Sequence, residues 1–378
     1  MPPIDLDANA TTPLHPAASA AMARVYTDAP GNPASSHYAG RQARRLLETA
    51  RETVARILNA RPECVVFTSG ATEANNLAVF GQSGPDAHFI ASRIEHPCVV
   101  GPLEQLAKAG HPVDWLPADP RGFVAPDEVA ARVRPATRLV CVMLANHETG
   151  AIQPVRAVVG RLSAGVAVHT DAAQAAGKIP VDFARLGVTT LSISGHKFGG
   201  PKGVGALLVR PGVTINPLFY GGHQQEARRP GTEPVALAVG MAAALDAAEQ
   251  TLAETHNRLT EMRAEFLARI EAALPDVVVN GPRPGDPDGL PTTLSLSFQG
   301  CRSDVLLMSL DLAGVACSAG SACASGSLLP SPVLAAMGLP DAVLRAAVRF
   351  SFGVGLTHEQ VADASGRVVK CIRAVRAG

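Results

Sequence analysis

The sequence predicts an α/β protein: a larger domain built on a mostly parallel sheet with helices on both faces, then a smaller α+β domain. Three observations predict this. The 378 residues exceed what one domain of about 150 residues holds. Through the first two thirds, apolar strand-like runs alternate with helical patterns, as in strands returned by crossover helices. From about Ala236 that alternation gives way to a long one-faced helix and a mixture of short strands and helices.

The elements follow in chain order. "CVVFTS" precedes "GATEANNLAVFG", and "HFIASRIEH" precedes "PCVVGPLEQLAKAG". "TRLVCVMLAN" and "GVAVHTDAAQAAG" are further strand-led units, with "AAQAA" read as the start of a helix. In "TTLSISGHKFGGPKGVG" the residues Thr190 to Ser194 alternate polar and apolar, as a half-buried strand would. "VALAVGMAAALDAA" is too short an apolar run to span a bilayer and reads as a buried helix. Leu259, Met262, Phe266, Ile270 and Leu274 are spaced by three or four, one face of a long helix that ends near Pro275. "VVVN" and "TTLSLSFQG" read as two strands joined by the Pro/Gly loop "GPRPGDPDGLP". The division expected is a large domain over 13–255 and a small one over 256–378, with residues 1–12 joined to the small domain.

Composition narrows the function classes. Lys plus Arg and Asp plus Glu both number 33, so no basic excess points to nucleic acid. Aromatics at 4% argue against base-stacking platforms. The N-terminus "MPPIDLDANATTPLHP" lacks a basic region followed by an apolar run, so it does not read as a signal peptide, and the short apolar run and balanced charge lead to the expectation of no membrane or nucleic-acid partner. Seven cysteines at scattered positions give no CxxC pair and no disulfide framework, which suits a reducing cytoplasm and leaves room for a working thiol.

Three segments carry chemistry. In "FTSGATEANN" a strand feeds a Ser-Gly turn and a helix beginning near Ala71, where unpaired N–H groups and the Thr72 hydroxyl form an anion site or simply a capped helix start. Asp171 directly follows a strand, where a carboxylate faces the usual ligand edge of a parallel sheet or caps the following helix. Lys197 follows another strand among glycines. Together these are the parts pyridoxal 5′-phosphate (PLP) requires: a lysine for a Schiff base, an acid for the pyridinium nitrogen, and N–H and hydroxyl donors for the phosphate. No GxxxxGK[ST] or strand-borne GxGxxG is present, and neither His147-Glu148 nor His358-Glu359 has a second histidine four positions on, so nucleotide and zinc-protease motifs are absent.

Ten short segments in order then resemble the cysteine desulfurases of the class V aminotransferase superfamily: "DANATTPLHP", "GNPASSHYAGR", "FTSGATEANN", "EHPCV", "ANHETG", "HTDAAQAAG", "SGHKFGGPKGVG", "RRPGTE", "GSACASGS" and "VRFSFG". The resemblance implies a fold type I PLP-dependent transferase with a mostly parallel seven-stranded-type sheet. It implies PLP on Lys197, Asp171 on the ring nitrogen, His96 stacked on the ring and shuttling protons, and Gln174 on the phenolic oxygen. Asn146 would contact cofactor or substrate. Ala71, Thr72, Ser194 and His196 would hold the phosphate, with Thr232 reaching the phosphate of a neighbouring subunit in a homodimer. Arg349 would clamp the carboxylate of L-cysteine. Cys323, in "CSAGSACASGSLLPS", would take the sulfur as a persulfide and pass it to a sulfur-acceptor or iron–sulfur scaffold protein. No metal site is implied beyond a transient cluster on Cys323. Lys202 and Cys317 receive no role, His169 is read as structural or packed near the cofactor, and Cys64, Cys98, Cys141, Cys301 and Cys371 as packing residues. The alternatives are a selenocysteine lyase of the same superfamily and a catalytically silent scaffold. Two departures from the usual pattern put histidines near the site: Asn146-His147-Glu148, and His223 within "GGHQQE".

Overall fold

The computed structural model describes residues 2–319 and 330–377. Strands in chain order are β1 (Ile4–Asp5), β2 (Val65–Thr68), β3 (His88–Ser92), β4 (Val113–Leu116), β5 (Thr137–Cys141), β6 (Ala167–Asp171), β7 (Thr190–Ser194), β8 (Gly205–Val209), β9 (Val278–Val279), β10 (Thr293–Ser297), β11 (Val315–Ala316) and β12 (Ala347–Ser351). The first helices are α1 (Pro16–Asp28), α2 (Tyr38–Ile57), α3 (Ala71–Phe80), α4 (Pro97–Lys108), α5 (Pro126–Ala131), α6 (Val155–Arg161) and α7 (Phe183–Leu186). They are followed by α8 (Val235–Gln250), α9 (Leu252–Ala273), α10 (Ser303–Leu312), α11 (Pro332–Ala336), α12 (Asp341–Leu344) and α13 (His358–Ala377).

Seven strands form the main sheet in the order β2-β8-β7-β6-β5-β3-β4. All neighbours pair in parallel except β8, which runs antiparallel to both β2 and β7. Every residue of β2, β3, β7 and β8 is buried. Both faces of the sheet are covered, so β2, β3 and β8 read as largely apolar runs, and β7, whose sequence alternates polar and apolar, is buried throughout and not half-buried. Helices α1 and α2 pack on α8, and α3 packs on α4 and β8. The parallel set ends its strands β3, β5, β6 and β7 at one edge, so the residues that follow them come together there.

The C-terminal part folds on a three-stranded antiparallel sheet, β12-β10-β9, with α9 and α13 packed together. Its core centres on Phe266, which meets Phe350 and Phe352 with ring centroids 5.0 and 5.6 Å apart. The helix face expected from Leu259 to Leu274 is the buried face of α9 and its end. Ile4 and Leu6 sit in this same core, and β1 pairs with β11 in parallel.

One local expectation fails. "AAQAA" forms tight turns over 173–177, not a helix. The Asp171 carboxylate captures the Ala173 N–H at 2.8 Å, and Gly177 takes φ 71°, so the chain turns back before helical bonding can propagate.

Candidate active site

Asp171 ends β6 at the ligand edge and is 5% exposed. Its Oδ2 accepts a hydrogen bond of 2.7 Å from Asn75 Nδ2, and Oδ1 accepts from Ala173 N. Asn75 stands on the inner face of α3, and its Oδ1 accepts from Ser192 Oγ at 2.5 Å and from His169 Nε2 at 2.9 Å. The parallel register of β6 and β7, with His169 opposite Thr190 and Asp171 opposite Ser192, aligns these donors beside one amide. Burial holds His169 neutral, with a pKa lowered to about 4. Since Nε2 donates to Asn75, the other ring nitrogen is the acceptor from Thr190 Oγ1, 2.9 Å away.

Helix α3 presents its N-terminus to the same edge. Its N-cap Gly70 brings no side chain to cap the first turn, so the Ala71 and Thr72 end of the helix offers backbone donors and the positive end of its dipole. The approach here is close. A side chain on Gly205 would begin 2.7 Å from the Gly70 Cα, so β8 and the helix start meet only because that residue is glycine. Ser194 Oγ lies beside the same turn, 3.8 Å from where a Gly70 side chain would begin. Glu73 in the first turn pairs with Arg229 at 2.9 Å, tying the chain before Thr232 to this helix. Thr232 itself is exposed.

Lys197 closes the one-turn helix Gly195–Lys197 after β7. Its Nζ donates to Asn9 O at 2.6 Å and Ala10 O at 2.9 Å. The same N-terminal strap holds His196, whose carbonyl accepts from Thr12 N and whose Nδ1 is 3.2 Å from Thr11 Oγ1. Burial, then the charge of Lys197, lowers the His196 pKa to about 4. Gln174 donates from Nε2 to Asn9 O at 3.1 Å, and its Oε1 receives Lys178 Nζ. Lys202, the other lysine of the loop, is exposed.

His96 is the N-cap of α4, its Nδ1 accepting from Cys98 N at 3.2 Å. Burial first, then the nearby His147, lowers its pKa to about 4, so it works as a neutral imidazole. The His96 and His147 rings meet edge-on at 5.2 Å. A cavity of about 490 Å³ opens between α3 and α4, lined in part by Thr72, Asn76, His96 and Cys98.

The turn after β5 holds Asn146. Asn146 is 0% exposed and both ends of its amide serve the chain: Nδ2 donates to Ile94 O, and Oδ1 accepts from Glu148 N, Thr149 N and Thr149 Oγ1. These bonds shape the turn. The neighbouring His147 faces His96, with its buried Nδ1 without a hydrogen-bond partner among the described residues. Arg349, on β12 and 3% exposed, donates to the His147 carbonyl at 3.0 Å and to Asp7 Oδ1 at 2.7 Å.

Cys323 lies outside the described residues, but both described flanks of 320–329 are tied to this site. Ser318 and Arg349 exchange backbone hydrogen bonds of 3.2 and 2.6 Å, and Ser331 Oγ donates to Glu148 Oε2 at 2.5 Å. Sequence reasoning missed Asn75, Asn9 and Lys178, and it read Cys98 as packing alone. Cys98 is buried but polar in its contacts, with Sγ 2.9 Å from both Asn75 Nδ2 and His96 Nδ1. The forward signal was that Lys178 is a charged residue inside the otherwise apolar stretch "AAGKIPV".

Residues 4–363 match the family described as Aminotransferase class-V. The cysteine desulfurase IscS of Dictyoglomus turgidum is 40% identical, over 98% of this chain and 95% of its own. A solved NifS-like protein superposes with a TM-score of 0.92 at 33% identity, covering 98% of this chain and 100% of the other. A solved structure of SspA in complex with cysteine gives 0.80 at 32% identity, over 92% of this chain and 98% of that one. The chain belongs to the class-V aminotransferase family, which depends on pyridoxal 5′-phosphate, and stands among its IscS- and NifS-like cysteine desulfurases.

Proposed function

We propose that this chain converts L-cysteine to L-alanine and carries the sulfur away as a persulfide on Cys323. One observation carries the reading most: Asp171 ends β6 and Lys197 lies just past the end of its neighbour β7, at one edge of the sheet, and a dedicated amide, Asn75, holds the carboxylate.

The residues present fit the cofactor. A carboxylate accepts at about four lone-pair sites, and Asp171 spends one on Asn75 and one on Ala173 N, leaving capacity for a ring N–H. The uncapped start of α3, with Thr72, Ser194 and His196 around it, suits a phosphate. Gln174 spends one N–H on Asn9 O and keeps a second for the ring hydroxyl. Bound there, the cofactor supplies an electron sink that stabilises negative charge at the substrate Cα.

The chain's own groups do the rest. Arg349 receives the substrate carboxylate through its planar fork of donors. The Lys197 amine, once released from its covalent duty, takes the Cα proton. His96 stays neutral and would stack on the cofactor ring. Cys323, as thiolate, attacks the substrate sulfur: an S–S bond forms, the C–S bond breaks, sulfur is oxidised to the persulfide level, and the reduced carbon leaves as the methyl group of alanine. Asn146 would contact cofactor or substrate, with the neighbouring His147 ring set edge-on against His96.

Delivery requires an acceptor protein or thiol, and Thr232 is read as serving a partner subunit's phosphate. The exposed Phe219 and Tyr220, 52% and 88% accessible on the same loop, support a homodimer. The described cysteines are all free, which supports a reducing cytoplasm.

The test is direct. The holoenzyme should show a visible cofactor band that Lys197→Ala abolishes together with alanine formation. Cys323→Ser should lose at least about a hundredfold in alanine release from cysteine. Unchanged turnover in Cys323→Ser would overturn the persulfide route and favour the selenocysteine lyase.

A further inference from the structure

Lys178 lies four residues after Gln174, and the reaction described above makes no use of it. It is 8% exposed, and among the described residues it has no carboxylate partner. A cation buried on neutral groups alone is costly. Burial first, then the charges of Lys197 and Arg349, drives its pKa well below the usual lysine range. The charged groups acting here are Lys197 and Arg349, the latter with Asp7, and Lys178 in turn acts on His196.

Its two acceptors are both side-chain amides. Lys178 Nζ donates to Gln174 Oε1 at 2.5 Å and to Asn9 Oδ1 at 3.2 Å. The amine donates to both oxygens, so each amide turns its oxygen toward Lys178 and its NH₂ away. The NH₂ groups then land on acceptors: Gln174 Nε2 on Asn9 O, and Asn9 Nδ2 on Thr293 Oγ1 at 2.8 Å and His147 O at 3.2 Å. Asn9 O also receives Lys197 Nζ. A single buried amine thus sets the polarity of a hydrogen-bond chain that ends on the reactive lysine.

We propose that Lys178 is a positioning residue of the cofactor site: it locks the Gln174 amide with oxygen inward and N–H outward, and so fixes a donor against the cofactor's phenolic oxygen. The proposal rests on the assignment of Gln174 and Lys197 to the cofactor. Failure of that assignment would show separately, as a wild-type holoenzyme without the visible band or a Gln174→Ala midpoint equal to wild type.

The experiment titrates the visible band of the holoenzyme against pH in wild type, Lys178→Met, Gln174→Ala and the double variant. A donor on the phenolic oxygen stabilises its negative charge and favours loss of the proton beside it, so removing the donor raises the midpoint. Gln174→Ala should raise it by about one unit. Lys178→Met should raise it similarly, and the double variant no further, because both remove one interaction. A merely structural lysine would lower Tm and leave the midpoint alone. A Lys178→Met midpoint equal to wild type, with Gln174→Ala shifted, would overturn the proposal. If Lys178→Met yields no folded holoenzyme, Lys178→Gln serves. It loses the charge and the obligate donor, so a smaller upward shift is expected, and a wild-type midpoint again overturns it.

Discussion

Arg349 holds Asp7 across 2.7 Å, joining the middle of β12 to the N-terminal strap. The guanidinium fork is divided, with Nη2 on that carboxylate and Nη1 on the His147 carbonyl. A lysine has one compact ammonium and cannot span both. Arg349→Lys should therefore keep the fold but lose at least one charge-assisted bond of about 1.5–3 kcal/mol. We expect the KM for L-cysteine to rise about 10- to 100-fold, with a smaller change in kcat. Steady-state kinetics check this, and an unchanged KM would remove Arg349 from substrate binding.

Glu95 supplies a pH test independent of the cofactor. The carboxyl is 3% exposed, and Oε1 accepts from Ser92 Oγ at 2.5 Å and Met143 N at 2.7 Å. Burial outweighs these bonds and pushes its pKa up to about 7. The folded chain then binds a proton that the unfolded chain has already lost. The stability due to this group is fully present below about pH 4.5, falls as pH rises to about 7, and is flat above that. The swing is about 3 kcal/mol. Glu95→Gln should erase it, so urea unfolding at pH 5 and pH 8 should show the variant gaining on wild type at the higher pH. His96, His169 and His196, each with a pKa lowered to about 4, pull the other way: they favour the fold above about pH 6.5 and weaken it as pH falls toward 4. They are common to both proteins and cancel in the difference. Parallel pH curves would show that Glu95 does not titrate in this window.

The sequence made the strand–helix alternation and the α9 face legible because burial writes periodicity directly into residue order. Asp171 and Lys197 were legible for a related reason: each stands at the point where an apolar run stops. What was hidden depends on register and on turn geometry. Asn75 becomes a partner of Asp171 only once β6 and β7 align His169 and Ser192 beside it. That the Asn146 amide oxygen serves its own turn is a matter of turn geometry, and no period encodes that. "AAQAA" misled because alanine propensity lost to a carboxylate that caught the Ala173 N–H. Cys98 looked like packing because the bonds that mark it as polar come from α3 and from His96.

The thiols give a final prediction. Burial pushes Cys98 and Cys141 far above the usual thiol range, and Cys317 up to about 12. Near neutral pH these stay as unreactive thiols, since only the thiolate is a nucleophile. Cys64, Cys301 and Cys371 are 2%, 7% and 8% exposed and sit in the packed cores. A sulfur-accepting Cys323 must instead reach both substrate and acceptor. Brief alkylation of the native holoenzyme with iodoacetamide at pH 7.5, read by peptide mass spectrometry, should modify Cys323 at least about tenfold faster than any other cysteine. Prior incubation with L-cysteine should add one sulfur to that same peptide. Equal labelling of Cys317 or Cys98 would move the sulfur acceptor to a different residue.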